Sequence, residues 1–103
     1  MEERRKFVRY RVSLAVEMHA TAVGVRGGTL GNISFGGAFI ETRMKLGRGA
    51  RIWVVVQEEK GEPESLAAVV CYVCAEGVGI EWMDVDARRR AYLDHLMGQL
   101  TVV

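Results

Sequence analysis

Asn32-Ile33-Ser34-Phe35-Gly36-Gly37 sets a polar pair ahead of two glycines, between segments that read as strands. Side chains two residues apart on an extended chain share a face, so Asn32 and Ser34 present an amide and a hydroxyl side by side while Ile33 turns away. Gly36 and Gly37 lack a Cβ, which opens positive φ to them and lets a second strand or a ligand approach the main chain. The same residue types are the ordinary material of a tight turn between strands. The stretch reads either as a plain hairpin or as half of a ligand site, and the rest of the chain has to decide.

On its far side, residues 37–42 supply a partner strand, with Ala38 and Ile40 facing opposite to Phe39. On its near side, residues 23–32 hold Gly24, Gly27, Gly28 and Gly31, which predicts a turn and then a short, irregular strand. Further back, Tyr10, Val12, Leu14, Val16 and Met18 alternate with Arg11, Ser13, Ala15, Glu17 and His19, the period-2 pattern of a half-buried strand. His19 falls on the polar face and reads as a surface residue. Residues 44–49 form a loop, and 52–56 form a continuous apolar run that includes Trp53, expected to be buried on both faces or at an interface. A polar turn at 58–64 precedes strands at 66–74 and 78–82.

After Trp82 the period changes. Tyr92, Leu93, Leu96, Met97 and Leu100 fall at helical spacing, with Asp84 or Asp86 as the cap. Arg88, Arg89 and Arg90 lie near the positive end of that helix and read as a solvated face. Short strands with frequent turns and no βαβ alternation predict an all-β protein, a six-stranded antiparallel barrel with a C-terminal helix. The expected layout is a single domain: a flexible basic arm at 1–11, the barrel at 12–83 and the helix at 85–100.

A chain of 103 residues suits one domain, and half of its residues are hydrophobic, so it can build a core without disulfides or metals. No apolar run approaches the ~20 residues of a membrane span, and the charged N-terminus lacks the apolar core of a secretory signal. A cytoplasmic location without membrane insertion is the expectation. Cys71 and Cys74 spell C-x-x-C, but on one strand their odd spacing sends them to opposite faces, and His19 and His95 offer no matching ligand pair. They are expected to be small buried hydrophobes, with no metal site. No Ser/His/Asp set and no phosphate-cradling glycine loop followed by Lys-Ser or Lys-Thr is present, so an enzyme is not expected.

The charge is uneven. The net value is +1, yet residues 1–11 carry Arg4, Arg5, Lys6, Arg9 and Arg11 against Glu2 and Glu3. A basic end on a slightly acidic body points to a local anion site rather than to a broad nucleic-acid surface. Arg5 and Arg9 are four residues apart, which puts both guanidiniums on one side of an extended chain, roughly 13 Å apart along it. A guanidinium can fork a phosphate, stack on a base, or donate two hydrogen bonds to the edge of guanine.

An arginine arm, a strand, and then N-x-S-x-x-G resembles the PilZ domain family, whose members bind the bacterial second messenger cyclic di-GMP. Arg5-Lys6-Phe7-Val8-Arg9 looks like that family's R-x-x-x-R, preceded by a further arginine, Arg4, and residues 32–37 look like its [D/N]-x-S-x-x-G. The family fold, a six-stranded barrel with a C-terminal helix, agrees with the periodicity. The resemblance implies that Arg4, Arg5 and Arg9 hold phosphates and guanines, that Asn32 and Ser34 hydrogen-bond a guanine, and that Gly37 lets the barrel surface come close. Tyr72 is a candidate for an added stacking surface. The ligand implied is cyclic di-GMP with no other cofactor, and the partner implied is an unidentified effector protein. The alternatives are a PilZ-fold interaction module that binds no nucleotide and, ranked last, a small barrel for single-stranded nucleic acid, which would show exposed aromatics among basic residues.

Overall fold

The computed structural model describes residues 8–21, 23–57 and 64–98, together with the backbone of 101 and 102. Arg4, Arg5, Phe7, Leu100 and most of the expected turn at 58–64 lie outside the described residues. The elements run β1 (Tyr10–Ala20), β2 (Gly24–Ile33), β3 (Gly37–Glu41), β4 (Arg51–Val56), β5 (Ser65–Val73), β6 (Gly77–Trp82), α1 (Ala87–Met97) and a short β7 (Thr101–Val102). All strand pairs are antiparallel, in the order β2-β3-β6-β5-β4-β1, and β1 pairs again with β2, so six strands close into a barrel. Closure removes the bare edges that a six-stranded open sheet would leave. β7 adds only Val102 and Thr101 beside Tyr10 and Arg11 of β1.

The period-2 alternation sorts side chains into a core and an outer face. Met18, Leu30, Ile33, Ile40, Val54, Leu66 and Val70 are fully buried inside, and Leu93, Leu96 and Met97 of α1 join the same core. Each such side chain contributes roughly 1.5–3 kcal/mol of burial. α1 closes the end of the barrel where β2 finishes and β5 starts: Arg89 Nε donates to the Ser65 carbonyl at 3.2 Å, and Arg88 Nε lies 3.1 Å from Glu64 Oε1. Asp86 is the cap, accepting from the Arg89 backbone N–H at 2.9 Å, whereas Asp84 sits at positive φ.

Four expectations change. β2 is a ten-residue strand rather than a short irregular one, because its glycines pair along the whole of β1. β4 is not buried on both sides; Ile52, Val54 and Val56 point in, but Trp53 is 50% exposed on the outer face. Cys71 and Cys74 are exposed and free. The register between β5 and β6 shifts between Val70 and Tyr72, which leaves Cys71 as an extra residue that breaks the strand's parity, and Cys74 lies past the strand end. Finally, neither Gly36 nor Gly37 adopts positive φ, which among described glycines belongs to Gly24 and Gly49.

Gly37 answers to a different constraint. A Cβ there would fall on the Ile80 carbonyl oxygen of β6, so the glycine admits a neighbouring strand. Gly37→Ala should therefore cost about 1–3 kcal/mol in urea unfolding, the scale of overpacking. Gly47→Ala, which meets open space, should change stability by no more than about 0.5 kcal/mol. A second prediction follows from the helix cap. The Arg89 backbone N–H holds the carboxyl of the exposed Asp86 below its usual range, with the charges of Arg89 and Arg88 adding to this and slight desolvation opposing it. A carboxylate whose folded pKa is depressed stabilises the fold above its unfolded pKa, and that stabilisation is lost as pH falls through the folded value. Asp86→Ala should lower Tm at neutral pH, and its deficit should shrink as thermal melts are taken below the ordinary carboxylate range.

Candidate functional site

The polar motif forms the β2–β3 turn, and its serine is turned inward. Ser34 is only 5% exposed. Its backbone N–H donates to the Gly37 carbonyl at 2.8 Å, and its hydroxyl accepts from the N–H groups of Gly36 and Gly37, both at 3.1 Å, while facing the Gly37 carbonyl at 3.3 Å. Trp82 then ties the turn to β6: its indole N–H donates to the Ser34 carbonyl and its backbone N–H to the Gly36 carbonyl, both at 3.0 Å. The buried polar atoms of the turn satisfy one another. Ser34 is thus a side chain that shapes the turn, and its hydroxyl does not stand beside the Asn32 amide on the outer face.

Asn32 does face outward, and it meets the arm. Arg9 Nη1 donates to Asn32 Oδ1 at 3.0 Å across 23 residues of sequence, with both side chains partly buried. This contact occupies one lone pair of the amide oxygen and leaves the Asn32 NH2 group and the remaining guanidinium donors of Arg9 for other partners. Asn32 is also the register partner of Arg11 on β1 and of Phe39 on β3. Phe39 in turn pairs with Gly79 on β6, and Gly79 with Tyr72 on β5. Paired residues share a face, so Arg11, Asn32, Phe39, Gly79 and Tyr72 form one row across the outside of the barrel.

The aromatic half of that row is open above a glycine. A Cβ at Gly79 would run into the Tyr72 ring, so the absence of a side chain lets Tyr72 lean across β6 toward Phe39. Their ring centroids lie 6.2 Å apart at an interplanar angle of 21°, and Tyr72 remains 47% exposed. The row therefore offers guanidinium and amide donors at one end and a flat aromatic surface at the other, the two kinds of contact a purine nucleotide uses.

Arg90 of α1 lies over the Phe35 ring at 4.5 Å, joining the helix start to the same turn. The expected solvated face holds only in part: Arg88 and Arg90 are exposed and Arg89 is half-buried, yet each of the three reaches a barrel residue, Glu64, Phe35 and Ser65 respectively. Cys71, beside the row, has its Sγ 3.8 Å from Glu81 Oε2. Burial pushes its thiol up, the Glu81 carboxylate pushes it further, and Arg48 opposes more weakly, so the group stays protonated and is a poor nucleophile. Among the described residues, no three His, Cys, Asp or Glu side chains gather as a metal site, and no helix is long and apolar enough to cross a membrane.

Of the six residues expected to bind ligand, the structure brings Arg9 and Asn32 into contact, commits Ser34 and Gly37 to the turn, and leaves Arg4 and Arg5 outside the described residues. Arg11, Phe39, Phe35 and Trp82 were not expected at the site. Arg11 had a signal, since it continues the even spacing of Arg5 and Arg9; the aromatic contacts depend on strand order and had none.

The comparisons agree with the fold. The PilZ domain family profile matches residues 3–99. No curated protein sequence matches the chain. Solved structures share the fold: the Bacillus subtilis inhibitor of motility is 19% identical with a TM-score of 0.76, over 95% of this chain and 51% of that one. The chain thus spans about half the length of that protein. The PilZ domain with c-di-GMP of YcgR from Escherichia coli is 15% identical with a TM-score of 0.76, over 95% of this chain and 92% of that one. The PilZ domain of CeSA from a cellulose-synthesizing bacterium is 17% identical with a TM-score of 0.72, over 87% of this chain and 94% of that one. With a family match over nearly its whole length and a closed barrel that joins Arg9 to the N-x-S-x-x-G strand, this chain belongs to the PilZ domain family.

Proposed function

We propose that the chain is a receptor for cyclic di-GMP that relays the signal to a partner protein. The observation that carries this reading is the hydrogen bond from Arg9 to Asn32, which unites residues from two motifs 23 positions apart on the outer face of the barrel. Arg9 and Asn32 would receive a phosphate and a guanine edge, Arg4 and Arg5 would add donors from the arm, and the Phe39–Tyr72 pair would stack against a base. Ser34 and Gly37 would serve by holding the turn in shape. The E. coli PilZ domain with the same fold is a complex with c-di-GMP, which supports the ligand. The relay would act in the cytoplasm of a bacterium, through binding rather than catalysis.

A PilZ-fold interaction module without nucleotide is the second reading, and one observation favours it. The Ser34 hydroxyl and the Gly37 backbone already have structural work in the turn, so their presence does not by itself imply a ligand.

Calorimetric titration separates the two. Cyclic di-GMP should bind, GTP and a short oligonucleotide should not, and raising the salt should weaken binding by screening the arginine contacts. Arg9→Ala should lower affinity roughly tenfold to a hundredfold with the fold intact, since charge-assisted hydrogen bonds are worth about 1.5–3 kcal/mol. Arg88→Ala, at an exposed ion pair remote from the row, should change affinity little. Ser34→Ala should lower stability and affinity together, because it loosens the turn. Absence of any heat with cyclic di-GMP would leave the interaction module as the reading.

A further inference from the structure

The barrel end away from the Ser34 turn holds a concavity. A pocket of about 630 Å³ opens between the β3–β4 loop and the β5–β6 hairpin. Its volume falls in the range of about 300–1,000 Å³ typical of small-molecule sites. Met44, Leu46 and Val78 line it as buried apolar side chains, and Val73 adds an apolar wall that is 52% exposed. Arg43 and Lys45 line it from the loop and are themselves exposed. No carboxylate is among the lining residues; Glu41 and Glu76, the acids nearest in sequence, are not part of it.

Backbone and hydroxyl contacts hold the walls in place. The Thr42 N–H donates to the Glu76 carbonyl at 3.2 Å, linking loop to hairpin, and the Thr42 hydroxyl accepts from the Met44 N–H at 3.0 Å. The exposed apolar wall has a physical cause. The extra residue at Cys71 sets Val73 opposite Val78, an inward position, where the barrel has run out of core to cover it. An apolar cavity whose lining holds two cations and no carboxylate is complementary to an apolar body that ends in a negative charge.

We propose that this pocket binds a small amphipathic anion, with its apolar part against Leu46, Val78 and Val73 and its carboxylate or equivalent acid at Arg43 and Lys45. The site is separate from the Arg9–Asn32 row and does not depend on nucleotide binding there.

Cys74 lines the pocket and is exposed, so it supplies the readout. In a Cys71→Ser background it is the single thiol of the chain, and its alkylation by iodoacetamide can be timed. Octanoate should slow that reaction severalfold and saturably, while 1-octanol at matched concentration should slow it far less. Arg43→Ala combined with Lys45→Ala, with an unchanged circular dichroism spectrum, should abolish the effect of octanoate. The proposal is overturned if octanoate gives no slowing, if octanol slows alkylation equally, or if the double variant keeps the protection. It is also overturned if Cys71 in a Cys74→Ser background is protected to the same degree, which would mean general adsorption.

Discussion

The turn between β2 and β3 is the constraint on which the rest depends. Four residues have to reverse the chain at a place where β6 runs close behind, and the solution uses a hydroxyl for the turn's orphan N–H groups and a missing side chain for the approach of β6. The Trp82 indole then bonds the Ser34 carbonyl, so β6 and the turn share a buried polar contact inside an otherwise apolar core. A buried polar group left without its partner costs about 1–3 kcal/mol, which makes this small network cooperative: removing one member strands another. α1 depends on it as well, because Arg90 finds its aromatic partner, Phe35, in the same turn.

This division changes what the N-x-S-x-x-G pattern means here. Its serine and second glycine serve the fold, and only Asn32 reaches the outer face to meet Arg9. Under the proposed receptor reading, recognition would therefore fall to Asn32, to the guanidiniums of Arg9 and Arg11, and to the aromatic pair that the pattern does not mention. Phe39 and Tyr72 come from strands adjacent to β6, not to each other, and meet only because Gly79 between them carries no side chain.

Much of the fold was legible because alternation reports burial directly wherever a strand has one wet face. β1, β3 and β6 read correctly for that reason, and the change of period after Trp82 marked α1, with two candidate caps, Asp84 and Asp86, of which Asp86 is the cap. What failed was parity across irregularities. Cys71 and Cys74 were placed by counting along an unbroken strand, and a single extra residue at Cys71 undid the count. Trp53 sits in an unbroken apolar run, where composition hides the alternation, so its outward position could not be read from neighbours that are all apolar. At the site, Arg9 and Asn32 were legible as residue types with a purpose. Their contact follows from the β1–β2 hairpin, whose register, shifted between Arg11 and Leu14, sets Arg11 opposite Asn32 and could not be counted from the sequence.

Irregularities of the kind that defeated the count at Cys71 also shape the candidate site. Among the described residues, three register shifts occur, between Arg11 and Leu14, between Leu30 and Asn32, and between Val70 and Tyr72. Each ends on a member of the outer row, so Arg11, Asn32 and Tyr72 all stand immediately beside an extra residue. A bulge increases local twist and re-aims the side chains next to it, which a small barrel needs in order to close and which a binding face needs in order to converge. Closure and convergence are then one geometric act in this chain: the residues that let six strands meet edge to edge are those that turn an arginine, an asparagine and a tyrosine onto one row.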